Sequence, residues 1–252
     1  MSTHPAWMTS QSIEFSVLVP FFNESGNVAP LISEIGDAMA GRSWELIAVD
    51  DASTDGTANE LLTAAGDHPE LRVLSHVRNA GQSAALCTAA GAATGTWLIT
   101  LDGDGQNDPG DIPRLIDVVT SDPTLALVCG HRTTRRDSAL RRISSRVANN
   151  VRAKLLGDAT PDTGCSLKIM QRATFSRLPQ FNHMHRFLPA LVMRDGGGIK
   201  SVPVSHRPRL CGASKYGLWN RLWVGIVDLA GVIWLQRRTL QNHPREEIKN
   251  ER

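Results

Sequence analysis

Short apolar runs alternate with longer segments of helical period through the first half of the chain. Phe15-Ser16-Val17-Leu18-Val19, Glu45-Leu46-Ile47-Ala48-Val49, Leu71 to Ser75, Trp97 to Leu101 and Leu125 to Cys129 predict strands. Helices are predicted over about Asn27 to Ala40, Gly56 to Ala65 and, rich in alanine, Gln82 to Ala93. Strands alternating with helices imply βαβ units. The expected fold is therefore α/β, a Rossmann-like, mainly parallel sheet flanked by helices. Such sheets bind ligands beyond the carboxyl ends of their strands.

Polar clusters stand at those ends. The first strand runs into Pro20-Phe21-Phe22-Asn23-Glu24 and the second into Asp50-Asp51-Ala52-Ser53-Thr54-Asp55-Gly56-Thr57. The third leads to Arg78-Asn79-Ala80-Gly81-Gln82, and the fourth to Asp102-Gly103-Asp104-Gly105-Gln106. Taken singly, Ser53 and Asp55 read as helix caps and Asn79-Ala80-Gly81 as a turn. Taken together they line one edge, and a single nucleotide-and-metal site accounts for them all. Asp102 and Asp104, two residues apart on extended backbone, project to the same side. That suits a hard divalent cation, which takes oxygen ligands and shares its coordination with substrate phosphates. An acidic turn is the competing reading. Neither a GxGxxG fingerprint nor a Walker P-loop is present, which disfavours a dinucleotide-dependent dehydrogenase and a P-loop NTPase.

Composition narrows the class. The 252 residues suffice for a large core, and 41% hydrophobic with 21% charged residues describe a folded globular chain. A net charge of +2 gives no reason to expect a nucleic-acid partner. The basic excess is local: seven arginines and one lysine lie between His131 and Lys154 against one acid, Asp137. Cys87, Cys129, Cys165 and Cys211 lack metal-ligand spacing and read as free thiols in a reducing compartment. No signal-peptide core opens the chain, and no run reaches the ~18 apolar residues of a spanning helix.

Val19-Pro20-Phe21-Phe22-Asn23-Glu24, Val49 to Thr57, Asn79-Ala80-Gly81 and Asp102 to Pro109 resemble, in order, the motifs of family 2 glycosyltransferases of the GT-A fold. The resemblance is closest to the dolichyl-phosphate mannosyltransferase group and its bacterial polyprenyl-phosphate relatives, and it covers about Phe15 to Arg238. It implies that Pro20, Asn23, Glu24 and Asp51 contact base and ribose, with Asn79 and Gly81 also on the donor side. It implies that Asp102, Asp104 and Gln106 hold Mg²⁺ or Mn²⁺ on the donor diphosphate. The family's usual motif has an alanine and a bulkier residue where this chain has Gly103 and Gly105, which bears on loop rigidity and donor fit.

The acceptor side is basic. Gly130-His131-Arg132 ends the fifth strand, and Leu140, Ile143, Val147 and Val151 form an apolar stripe flanked by Arg141, Arg142, Ser145 and Arg146. By the resemblance, Arg132, Arg141 and Ser145 bind an acceptor phosphate; a solvated basic helix face is the alternative. A phosphate acceptor is already ionised near neutral pH and needs no strong base. A hydroxyl acceptor would need one, and Asp162, in a segment similar to the family's Asp-x-x-Ser-Gly-Phe-Arg, is the candidate. Ser214 and Lys215, in Gly212 to Gly217, resemble a mobile segment that closes over the donor diphosphate. His183, His185 and Arg186 read as surface positions or substrate-loop contacts.

Tyr216 to Leu235 carries Trp219, Trp223 and Trp234 around one narrow polar stripe of Gly217, Arg221, Gly225 and Asp228. This predicts an amphipathic helix at a bilayer surface; burial in the domain or at a homo-oligomer interface is the alternative. The expected organisation is a flexible N-terminus (1–12), a catalytic domain (13–212), a mobile segment with an interfacial helix (213–238) and a polar tail (239–252). The expected protein is an inverting, metal-dependent glycosyltransferase, cytoplasmic and peripheral to the membrane. It moves a sugar from a GDP- or UDP-sugar to polyprenyl phosphate. Transfer to a lipid or glycan hydroxyl, or nucleotide-sugar binding without turnover, are the competitors.

Overall fold

The computed structural model describes residues 12–132, 152–158, 160–208 and 218–238, the last of these with side chains from 225 onward. Seven strands form one sheet: β1 (Phe15–Phe21), β2 (Trp44–Asp50), β3 (Leu71–Ser75), β4 (Trp97–Thr100), β5 (Leu125–Arg132), β6 (Lys168–Gln171) and β7 (Gly198–Val204). Their order is β3-β2-β1-β4-β6-β5-β7. β1, β2, β3 and β4 are mutually parallel, β5 and β7 are parallel to each other, and β6 runs antiparallel to both β4 and β5. The α/β expectation holds, with β6 as the one reversal within the sheet.

Residues buried on both faces explain the near-continuous apolar runs of β1 and β2. On one face, α1 (Val28–Met39) places Val28, Leu31, Ile32, Ile35 and Met39 on the sheet at helical spacing. Beside it, α2 (Thr57–Asp67) and α4 (Ile112–Ser121) contribute Leu61, Leu115, Ile116 and Val119 to the same core. The other face is covered by α3 (Gln82–Ala92), α5 (Arg172–Arg177), α6 (Leu188–Arg194) and α7 (Leu218–Arg237). There Ala85, Leu86, Ala89, Leu191 and Val232 pack on Leu18, Ile47, Leu98 and Met170. The small alanines of α3 let its backbone approach β1 and β2 closely.

The chain leaves β1 toward β2 and β3, then returns to β4 on the other side of β1. The carboxyl ends of β1 and β4 are thus a topological switch point, where a crevice opens between diverging connections. Pro20-Phe21 and Asp102 sit at that crevice. Gly103 makes the approach: a Cβ there would lie 2.6 Å from Phe21 Cδ1 and 2.9 Å from the Pro20 carbonyl oxygen. The glycine that departs from the family's alanine is required by the Phe21 ring and the β1 backbone. Gly103→Ala should lower unfolding stability by about 1–3 kcal/mol, as overpacking does. Urea denaturation checks it, and an unchanged midpoint would contradict the contact.

Candidate active site

The loops after β1 and β2 are clasped together before any ligand arrives. Asn23 and Ala52 adopt left-handed backbone, φ 53 and 58. That conformation turns each chain sharply at the sheet edge. The Asn23 N–H donates to Ser53 Oγ at 2.9 Å, and the Thr54 N–H donates back to Asn23 Oδ1 at 2.7 Å. The Glu24 N–H donates to Thr57 Oγ1 at 2.8 Å, while Glu24 Oε2 accepts from Asn27 at 2.9 Å. Burial pushes the Asp55 carboxyl up, but hydrogen bonds from Thr57 and Ser25 outweigh it and hold the group below its usual range. Ser53, Asp55 and Thr57 are therefore spent on loop architecture. Pro20, at the end of β1 beside Val49, walls the same crevice.

Asp51 is the hub of the second loop. Its buried carboxylate accepts from His76 Nδ1 at 2.7 Å, Ala80 N–H at 2.8 Å, Gly81 N–H at 2.8 Å and Asn79 Nδ2 at 2.9 Å. A carboxylate only accepts, so His76 Nδ1 carries a proton, and its Nε2 lies 2.9 Å from Thr88 Oγ1. Gly81, at φ 87, lets the turn deliver two successive N–H groups to Asp51 and start α3. Asn79, Gly81 and Asp51 thus form one unit that shapes the pocket wall. His76 was not legible as part of it, because a single histidine after a strand carries no pattern.

At the end of β4, Asp102 is half-buried and accepts from Gln82 Nε2 at 2.6 Å. Burial first, then the neighbouring Asp104 carboxylate, push its pKa up to about 6; Ser166, Lys168 and Arg132 act against that rise. Asp104 Oδ1 accepts the Gln106 N–H at 3.1 Å, curling the loop back on itself. The far side of this loop is strapped to the segment after β7. Arg207 donates its backbone N–H to the Gln106 carbonyl at 2.9 Å, and Asn107 bridges to His206. The Arg207 guanidinium contacts Asp108 at 2.6 Å and Glu34 of α1 at 2.7 Å. Two carboxylates crowded at a strand end, one resisting ionisation, fit a divalent cation. No cluster of three or more His, Cys, Asp or Glu side chains poised for a metal occurs among the described residues. The remaining ligands would come from Gln106 and from substrate.

Arg132 and Asp162 meet as a bidentate pair, Nε to Oδ2 at 2.7 Å and Nη2 to Oδ1 at 2.8 Å. Burial disfavours the Arg132 charge, but Asp162 more than restores it. Sequence reading assigned these two residues separate tasks, whereas the structure joins them. Shortly before Asp162 in the chain, Arg152 pairs with buried Asp158 at 3.0 Å. Cys129 and Cys165 are buried free thiols, and burial pushes Cys129 up to about 12, which leaves it inert at neutral pH. His183 Nδ1 lies 2.9 Å from Asp228 of α7, so the polar stripe of that helix touches the protein there. Arg141, Ser145, Ser214 and Lys215 lie outside the described residues.

Comparison with known proteins accords with this geometry. The model of the glycosyl transferase family 2 matches residues 16–179. Dodecaprenyl-phosphate galacturonate synthase of Rhizobium johnstonii is 38% identical over 233 residues, 90% of this chain and 68% of that protein. Undecaprenyl-phosphate 4-deoxy-4-formamido-L-arabinose transferase of Salmonella paratyphi B is 33% identical over 205 residues, 80% of this chain and 62% of that protein. The chain therefore spans about two thirds of the length of these relatives. Glucosyl-3-phosphoglycerate synthase of Mycobacterium tuberculosis, solved with Mn²⁺, UDP and phosphoglyceric acid, superposes with a TM-score of 0.66 at 19% identity, covering 95% of this chain and 86% of that one. A mannosyltransferase of Pyrobaculum calidifontis with GDP-Man and Mn²⁺ gives 0.64 at 22% identity, covering 92% and 66%. These neighbours share the fold, and the family match over most of the sheet and its ligand edge makes this chain a glycosyltransferase of family 2.

Proposed function

We propose that this chain transfers a sugar from a nucleotide-sugar to a polyprenyl phosphate at a membrane surface. The observation that carries the reading is the carboxylate pair at the β1/β4 switch point, beside a clamped Arg132–Asp162 pair. The named acceptors of both curated relatives, dodecaprenyl phosphate and undecaprenyl phosphate, support the lipid phosphate. Both Asp162 oxygens accept from Arg132. A carboxylate so engaged is poorly disposed to take a proton from a hydroxyl, whereas a phosphate acceptor requires no such base.

On this reading, the loops around Asn23, Glu24 and Asp51 orient the nucleoside, and Asp102, Asp104 and Gln106 hold Mg²⁺ or Mn²⁺. When bound, the ion offsets charge that develops on the departing diphosphate. Gln82 fixes the Asp102 carboxylate in place, and Arg207 fixes the loop behind Gln106. Arg132 would bind the acceptor phosphate for direct displacement at the anomeric carbon, the role that the family resemblance also gives Arg141 and Ser145. Ser214 and Lys215 would contact the donor diphosphate, the role that the family resemblance gives them.

The outer face of α7 supports membrane docking. Ile226, Val227 and Trp234 are exposed at 49%, 66% and 60%, while Val232 is fully buried on the opposite side. Arg194 and Gln236 tie the helix end to the domain through the carbonyls of Leu235 and Leu156. No helix among the described residues is long and apolar enough to cross a membrane. An exposed apolar face on an anchored helix suits shallow insertion at the headgroup boundary.

Nucleoside diphosphate release should require donor, divalent ion and lipid phosphate together, with an organic-phase product cleaved by mild acid. An acid-stable product would instead indicate a hydroxyl acceptor. Asp102→Asn should lower kcat by at least about a hundredfold while the melting temperature holds, since it removes charge offsetting the leaving group. Because the ionised Asp102 binds the ion and its pKa stands near 6, affinity should fall as pH drops through that value. Titration calorimetry should show Mn²⁺ binding about tenfold weaker at pH 5 than at pH 7, as proton competition at such a group requires. Val227→Ser with Trp234→Ser should reduce co-sedimentation with anionic vesicles without changing nucleotide affinity; equal co-sedimentation would reject the docking face.

A further inference from the structure

Gly105 stands where the family carries a bulkier residue, and no step of the transfer scheme uses it. It adopts φ 69, and a Cβ there would meet nothing within 4 Å. A glycine in open space on left-handed backbone is a soft joint, because no side chain packs it and both signs of φ are open to it. The joint lies between Asp104 and Gln106, two of the groups assigned to the ion. Before it, Gly103 is wedged against Phe21 and the Pro20 carbonyl. After it, the buried Asn107 side chain accepts from Ser166 Oγ at 2.6 Å. The Gln106 peptide is held from two sides: its N–H donates to Asp104 Oδ1 at 3.1 Å, and its carbonyl accepts the Arg207 N–H at 2.9 Å. The Gln106 side chain makes no hydrogen bond among the described residues, so its direction follows its backbone.

Arg207 is itself anchored. Its Nη1 donates to Glu34 Oε2 of α1 at 2.7 Å, and its Nη2 meets Asp108 Oδ1 at 2.6 Å. α1 is seated firmly on the sheet through Leu31, Ile32 and Ile35. A cleft of about 510 Å³ borders this clasp, lined by Asp37, Arg42, Gly110 and Pro113 besides the three paired residues. Open space on that side means that packing does not hold the loop against α1, whereas the guanidinium spans the gap. The side chains of Arg207, Glu34 and Asp108 are 37%, 41% and 28% exposed, and exposed ion pairs add little to overall stability. Two carboxylates on one planar fork nevertheless fix a direction as well as a distance. That suffices to place a loop with a free joint and is too little to decide whether the domain folds.

We propose that Arg207 is a positioning residue for Gln106, clasping the loop after β4 to α1 in place of the side chain missing at Gly105. This rests on the reading that Asp102, Asp104 and Gln106 hold the ion, and it deepens that reading. Arg207 acts through the Gln106 peptide, while Glu34 gives the clasp its fixed point.

The test measures Mn²⁺ binding, from the electron paramagnetic resonance signal of the free ion with UDP or GDP present, and hydrogen exchange of the metal-free protein. Arg207→Ala should bind Mn²⁺ about fivefold more weakly, the scale that exposed ion pairs reach, with its melting temperature unchanged. In the metal-free variant the backbone of residues 103–108 should exchange about fivefold faster than in wild type. Glu34→Gln should weaken Mn²⁺ binding in the same direction and add nothing once Arg207 is replaced by alanine. Arg207→Lys should recover little, since an ammonium lacks the planar fork. Gly105→Asn narrows the joint while tolerating left-handed backbone, and should restore most of the affinity lost in Arg207→Ala. If Arg207→Ala melts early, Glu34→Gln decides in its place. Wild-type Mn²⁺ affinity in the deciding variant, or a deficit that Gly105→Asn leaves unmoved, overturns the inference and leaves glycosyl transfer standing. A wild type that binds no Mn²⁺ with either diphosphate overturns the metal reading itself, and the clasp with it.

Discussion

Two carboxylates held beside each other at the end of β4 govern the rest of the site. Asp102 is drawn out of water by the sheet and crowded by Asp104, which makes its ionised form unfavourable in the free protein. Nearby charge relieves this only in part, since Arg132 is already engaged by Asp162 and Lys168 by a carbonyl. On the proposed reading, a divalent ion held by these carboxylates would relieve the repulsion between them. Binding of the ion would then be favoured by the same crowding that disfavours both charges in the free protein.

Around this pair, the loops hold each other. The β1 and β2 exits exchange hydrogen bonds through Asn23, Ser53 and Thr54. Asp51 gathers the β3 exit and the start of α3 onto four donors. Gln82, one residue further, reaches the Asp102 carboxylate. Arg207, at the β7 exit, ties α1 and the loop after β4 together at one guanidinium. Loops pinned in this way are pre-organised for a nucleotide, so little ordering entropy remains to be lost on binding.

Much of this was legible in the sequence where a pattern repeats. The strands β1 to β5 and helices α1 to α3 follow from apolar runs and helical spacing, and the motif residues fell at the carboxyl ends of those strands. β6 and β7 were not legible, for different reasons. β6 is only Lys168–Gln171 and opens on a charge whose burial depends on tertiary neighbours. β7 is an edge strand of mixed exposure that carries little apolar signal. Pairings across the chain were equally invisible: Arg132 with Asp162, His76 with Asp51, and Arg207 with Glu34 join residues that no local spacing relates. Sequence patterns thus bring these groups to the carboxyl edge of the sheet, but local spacing does not relate the ones that are bonded to each other.

The account turns on whether one ion bridges Asp102 and Asp104 to a diphosphate. Electron–nuclear double resonance on the Mn²⁺-loaded protein measures this directly. On adding the nucleoside diphosphate, ³¹P hyperfine coupling to the Mn²⁺ should appear, and it should vanish in Asp104→Asn. Mn²⁺ bound without phosphorus coupling, or coupling that persists without that carboxylate, would contradict it.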